Sequence, residues 1–195
     1  MTIRIVSLLL LALACGSLQA CFPVIVAGMG TGALFAQDRR DSKAILDDEK
    51  IEIIATKRIA EQIRPTTHIN VTSYNRKVLI TGEVPDDTAT LEVGRIISSI
   101  KNVAGIHNEL VLSANSSLAS RSNDSLITAE VKLRFIRDPR FESKQFNSNH
   151  IKVVTENGSV FLLGIVSQIE ADAATDIASA TTGVNRVVKL FEYLD

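Results

Sequence analysis

Apolar and polar positions change rhythm along this chain, and they do so twice in the same order. Ile51, Ala55, Ile59 and Ile63 return at every fourth position, with Ile54 on the same side, which is the spacing of one helix face. Asp47 or Asp48 stands where an N-cap is expected. Arg64-Pro65 ends the run, because the residue before proline avoids helical angles. The period then drops to two. Ile69 and Val71 alternate with Asn70 and Thr72, Tyr74-Asn75-Arg76-Lys77 reads as a turn, and Val78, Ile80 and Gly82 continue as a second strand. Pro85-Asp86-Asp87 opens another helix, whose Val93, Ile96, Ile97 and Ile100 form an i, i+3, i+4, i+7 stripe. Gly105 precedes a last strand over residues 106–112.

The second pass is parallel. Asn123 or Asp124 is expected to cap a helix whose stripe is Ile127, Val131 and Phe135, ended by Asp138-Pro139. A segment longer than its counterpart follows, holding Arg140, Phe141, Lys144 and Phe146. Ile151, Val153 and Thr155 form a strand. Glu156-Asn157-Gly158-Ser159 is the strongest hairpin signal in the chain, since Asn-Gly suits a type I′ turn. Residues 160–166 pair back, and Ser167-Gln168-Ile169-Glu170 reads as a capping box. Ala174, Ile177, Ala178 and Thr181 supply a small-residue helix face, and residues 184–193 form the last strand.

Superposed, His68 falls on His150, Val71 on Val153, Gly82 on Gly164 and Val84 on Val166. Gly105-Ile106 and Gly183-Val184 each open a final strand. A repeat of this kind decides the architecture. The expected fold class is α+β, with two tandem αββαβ modules, each a small mixed sheet with two helices. They cover residues 47–112 and 123–195 and are joined by a linker at 113–122 that holds five serines. Modules of about 70 residues or fewer have thin cores, so the two are expected to lean on each other.

The N-terminus reads as an address. Arg4 precedes an apolar run over residues 5–14, of signal-peptide length and too short to span a bilayer. Leu18-Gln19-Ala20-Cys21 resembles a bacterial lipobox, which implies cleavage after residue 20 and acylation of Cys21. Several acyl chains anchor stably without a spanning helix. An ordinary cleaved signal and an uncleaved anchor are the competing readings. Phe22, where an inner-membrane lipoprotein has Asp, favours the outer membrane by resemblance to the sorting rule. Residues 22–36 are apolar yet interrupted by Gly28, Gly30 and Gly32, and the tether is taken to run over 21–46, ending in a charged stretch.

Composition narrows the chemistry. The 21 basic and 22 acidic residues lack the excess of a nucleic-acid binder, and aromatics at 5% offer few stacking platforms. Both cysteines, Cys15 and Cys21, precede the modules, so no disulfide or thiolate metal site is expected in the body. His68, His107 and His150 have no paired spacing, and no metal is expected. Asp47-Asp48 and Asp86-Asp87 are read as helix-start carboxylates complementing the dipole. Gly-Met-Gly-Thr-Gly lacks the Lys-Ser/Thr of a phosphate loop, and there is no Gly-x-Ser-x-Gly elbow. Neither an enzyme nor a cofactor is expected.

A lipobox followed by two modules, each with strand-Gly-x-Val, a helix and Gly-Val/Ile before the last strand, resembles the BON-domain proteins, and among them the outer-membrane lipoproteins with two such domains. The most specific stretch runs from Val153-Val154-Thr155-Glu156 through Asn157-Gly158-Ser159-Val160 to Phe161-Leu162-Leu163-Gly164, supported by Ser122-Asn123-Asp124. The resemblance implies a periplasm-facing lipoprotein that maintains envelope integrity and binds anionic phospholipid through the first helix of its second module. On this chain that surface begins at Leu126 and Ile127 and runs to Arg137. At 100° per residue Leu126 and Leu133 form a second stripe, away from the Ile127 side and bordered by Glu130, Arg134 and Arg137. Such a stripe can insert shallowly and attract phosphate headgroups. The alternatives are that it packs on the other module, or docks an envelope protein, which would make the chain a periplasmic interaction scaffold.

Overall fold

The computed structural model describes residues 38–63, 67–141 and 147–194. The signal peptide, Cys21, the glycine-rich tether, Arg64-Pro65, Lys144 and Phe146 lie outside those residues. The first module comprises α1 (Ser42–Gln62), β1 (His68–Tyr74), β2 (Lys77–Val84), α2 (Asp87–Ser98) and β3 (Gly105–Leu112). The second comprises α3 (Leu118–Arg137), β4 (Ile151–Glu156), β5 (Ser159–Val166), α4 (Gln168–Ser179) and β6 (Arg186–Tyr193), with short 3-10 turns at Pro139–Phe141 and Ser148–His150. Both are αββαβ, as the repeat predicts.

Each sheet has three strands with the middle one central. β2 is antiparallel to β1 and parallel to β3, and β5 is antiparallel to β4 and parallel to β6. The helix stripes close on one face of each sheet. Ile51, Ala55 and Ile59 of α1 and Val93, Ile96 and Ile97 of α2 pack on Val78 and Ile80. Ile127, Val131 and Phe135 of α3 and the small face of α4 pack on Val160 and Leu162. Phe141, from the longer connection, stacks on Phe135 with ring centroids 4.9 Å apart and completes the second core.

The opposite sheet faces are buried too. Leu79 of β2 and Phe161 and Leu163 of β5 join Tyr74 in a third apolar cluster shared by both modules. This two-sided burial is why β5 reads as an almost unbroken apolar run rather than an alternation. The superposed glycines follow from strand approach. A Cβ at Gly82 would stand 2.0 Å from the His68 carbonyl oxygen, and one at Gly164 would stand 2.6 Å from that of His150.

Two helix starts differ from expectation. α1 begins at Ser42 with Asp41 at the N-cap, well before Asp47 and Asp48. α3 begins at Leu118, capped by Ser117, whose side chain accepts the Ser120 N–H. Residues 118–122, read as linker, are therefore helical, and neither Asn123 nor Asp124 is a cap. The displaced aspartates hold the hairpin turns instead. Asp48, buried within α1, accepts the N–H groups of Asn75 (2.8 Å) and Arg76 (2.6 Å) and the Ser73 hydroxyl (2.6 Å). Asp124, buried within α3, accepts those of Asn157 (3.0 Å) and Gly158 (2.8 Å). Both turns have positive φ at their two central residues, +49° and +66° in the first and +49° and +71° in the second. That is the type I′ requirement. It points both central N–H groups away from the ladder, where a carboxylate must meet them.

Asp124→Ala would leave two N–H groups without their charged acceptor and is expected to cost about 2–4 kcal/mol, read from the urea midpoint. Asp86→Ala, which removes the exposed cap on Ala89 N–H, should cost about 1 kcal/mol. Equal losses would mean that the clamp does not hold the turn.

Candidate functional site

The outer face of α3 combines an exposed apolar stripe with a cationic end. Leu126 is 69% exposed, Leu133 36% and Ile136, one step around the helix, 63%. The modules meet through their sheets, so the reading in which Leu126 and Leu133 pack on the other module is overturned. Ile127 is corrected as well. It is only 4% exposed, sits in the second core and touches the Gly183 position, so it cannot meet a ligand surface. Its 100° offset from Leu126 turns it inward. Ile136, the residue sequence reasoning left out, lies between the two stripes and carries no periodic signal of its own.

The charged residues at this end are partly engaged. Arg134 Nε donates to Glu130 (2.8 Å) and its Nη1 to the Ala180 carbonyl (3.0 Å). Arg140 forks onto Asp138 at 2.9 Å through both of its contacts, and this fork holds the Asp138 carboxyl below its usual pKa. Among the described residues Lys132 and Arg137 have no ion-pair partner. Arg134, Arg137 and Arg140 border an open groove of ≈ 490 Å³ between α3 and α4, floored by Pro139 and Ile177. α1 also exposes apolar side chains, Leu46 and Ile53, but it has no basic residue in its last turn, whereas α3 has Arg134 and Arg137 there.

Between the modules lies a polar cluster that spacing did not reveal. His68 Nδ1 is 3.1 Å from Glu83 Oε2 and 3.8 Å from Glu156 Oε1. Glu83 also accepts from Ser116 N–H and Oγ (both 3.1 Å) and from the Asn157 amide (2.8 Å). Burial raises the Glu83 carboxyl, but these donors outweigh it and its pKa is lowered. Glu156 Oε2 accepts from Asn70 (2.9 Å) and Thr81 (3.0 Å). His150, the sequence equivalent of His68, is buried in a 3-10 turn and takes the Asn147 N–H on Nδ1 (3.4 Å).

The residues before α1 were read as a charged linker, but Asp38 to Arg40 are docked on both modules. Arg39 forks onto Glu170 (2.6 and 2.7 Å) and donates to the Ile165 carbonyl (2.9 Å). Glu170 simultaneously closes the expected capping box with Ser167. Arg40 lies 4.3 Å over the Tyr74 ring and bridges Asp38 and Asp48. Burial pushes the Tyr74 phenol up to about 12. Burial raises Glu170 and Asp38 as well, but Arg39 and Arg40 respectively outweigh it and both carboxyls are lowered.

The chain is thus built of two αββαβ modules docked sheet to sheet, and no helix among the described residues is long and apolar enough to cross a membrane. The chain belongs to the BON-domain family, whose match covers residues 47–114 and 123–195. It is 36% identical to the outer membrane lipoprotein DolP of Haemophilus influenzae over 91% of each chain. It is 31% identical to a 21 kDa hemolysin of Actinobacillus pleuropneumoniae, over 80% of this chain and 79% of that one. To the osmotically-inducible protein Y of Escherichia coli it is 28% identical, over 63% of this chain and 60% of that one. These relationships support a dual-BON outer-membrane lipoprotein.

Glu83, Glu170 and Asp38 all have lowered folded pKa values, so their stabilisation is complete above the unfolded carboxylate range and is lost as pH falls through the folded values. Urea midpoints should show no pH-dependent change from them between pH 8 and about 5 and a decline below about 4. Arg39→Gln should make that decline shallower. A midpoint rising below pH 4 would contradict the assignment.

Proposed function

We propose that this protein is acylated at Cys21, held at the periplasmic face of the outer membrane, and binds anionic phospholipid through α3 of its second module, supporting envelope integrity. The observation that carries this reading is the exposed Leu126, Leu133 and Ile136 stripe ending in Arg134 and Arg137. Full burial of a leucine or isoleucine is worth about 1.5–3 kcal/mol, and shallow insertion of three part-exposed side chains on the order of 3–5 kcal/mol. That corresponds to roughly millimolar affinity. An acyl anchor supplies the effective concentration that makes such a contact useful.

The electrostatic share is small. This end of the module carries four cations, Lys132, Arg134, Arg137 and Arg140, against three carboxylates, Glu130, Asp138 and Asp176, so the cations exceed the carboxylates by one. Each uncompensated basic group near an anionic surface adds about 1 kcal/mol. Apolar insertion therefore carries most of the binding, and charge selects the lipid.

In co-sedimentation of residues 38–195 with anionic vesicles, Leu126→Asp with Leu133→Asp should lower partitioning tenfold or more while the circular dichroism spectrum stays that of the parent. Binding to neutral vesicles should be weaker, and raising salt should reduce anionic binding only a few-fold. Unchanged binding in the double variant would remove α3 as the lipid surface and leave it as a docking face for an envelope protein. In the full chain, Cys21→Ser should abolish metabolic labelling with palmitate and recovery with outer membranes. Retained labelling would contradict acylation at that residue.

A further inference from the structure

Three of the six buried carboxylates among the described residues face a permanent cation: Asp48 pairs with Arg40, Asp47 with Arg76 and Glu170 with Arg39. Asp124 is taken up by the N–H groups of the Asn157-Gly158 turn. Glu83 and Glu156 face no permanent cation. They lie on facing sheets, 1% and 6% exposed, and among the described residues the only basic group in ion-pair range of either is His68. Three of their four oxygens accept hydrogen bonds. The fourth, Glu156 Oε1, has no donor within hydrogen-bond distance among the described residues. It points at His68 Nδ1 from 3.8 Å.

We infer that His68, Glu83 and Glu156 form a binding site for a divalent transition ion of the zinc type, closed across the two modules. Their ligand atoms all lie within 4.8 Å of one another, with Nδ1 3.1 Å from Glu83 and 3.8 Å from Glu156. A tetrahedral ion with bonds of about 2.0–2.1 Å spaces its donors by about 3.3 Å, so only a small movement of Glu156 is required. One imidazole and two carboxylates suit zinc-like ions, whereas magnesium and calcium take oxygen donors alone. An open cleft of ≈ 160 Å³, lined by His68 and Glu156 together with Asn70, Thr155 and the oppositely charged Arg121 and Asp124, gives the ion its path and a water its place in the fourth position.

Binding replaces the Nδ1 proton by the ion and leaves the ring proton on Nε2. Two ligands come from the first module and one from the second, so the ion recognises only docked modules and stabilises their docking.

The test is titration of the full-length protein in detergent micelles, stripped of metal by chelation, with Zn2+. One equivalent should bind, and at a hundredfold excess over Kd the Tm should rise by about 5–10 °C. His68→Gln and Glu156→Gln should each weaken binding at least tenfold and remove the rise, while His107→Gln, in the exposed part of β3, should leave both intact. Circular dichroism of the metal-free variants shows whether they fold. Co2+ added to the wild type should give the intense visible absorption of a four-coordinate centre, which reads the site without any variant. Failure to saturate, equal binding by His68→Gln, equal response to Mg2+ or Ca2+, or only the faint spectrum of six-coordinate Co2+ would each overturn the proposal.

Discussion

Leu79, Phe161 and Leu163 cannot face water at acceptable cost. Each is worth about 1.5–3 kcal/mol when buried, so exposing all three would forfeit about 6 kcal/mol, comparable to the net stability of a small domain. The two sheets therefore close on each other, and much else follows. The helices are confined to the outside. The hydrophilic residues of the same strand faces, Thr81 and Glu83 beside Leu79, are carried into the interface and must find partners there. α3, which covers its own sheet with the Ile127 side, is left with its opposite face in water.

The docking also explains how the modules stay small. Each has one helix-covered core of its own and shares the cluster around Tyr74 with its neighbour. The rim is laced by groups from both modules. Lys152 reaches Glu52 (2.9 Å), Asn75 reaches Glu192 (2.9 Å) and Arg186 reaches Glu109 (2.9 Å). Exposed pairs of this type contribute little apiece. Their role is to fix register between faces that apolar contact alone would leave free to slide.

What the sequence disclosed was local. Strand alternation, the Asn157-Gly158 turn, the capping box at Ser167 and the glycine pair Gly82 and Gly164 all report interactions within a few residues or between adjacent strands, and all have the expected place in the structure. Gly183, expected to open the last strand, instead lies in the turn before β6, which starts at Arg186. The starts of α1 and α3 were hidden because Asp48 and Asp124 look like caps, while their actual acceptor role involves turns more than a score of residues away. Serines at 117 and 120 looked like linker, yet one is the real cap of α3. The assignment of Ile127 to a ligand surface followed a helix segment rather than a helix face. The His68 cluster was invisible for a deeper reason: Glu156 comes from the other copy of the repeat, and only the sheet-to-sheet docking brings it near.

The Arg39 fork on Glu170 has a mechanical meaning. A load applied through the N-terminal segment enters the folded body at Asp38 to Arg40 before it reaches α1. There it is divided, with Arg39 passing force to the β5–α4 corner of the second module and Arg40 passing it to Tyr74 and Asp48 of the first. A pull that would otherwise peel α1 from its free end is instead shared in shear across both modules, so the body resists tension as one piece.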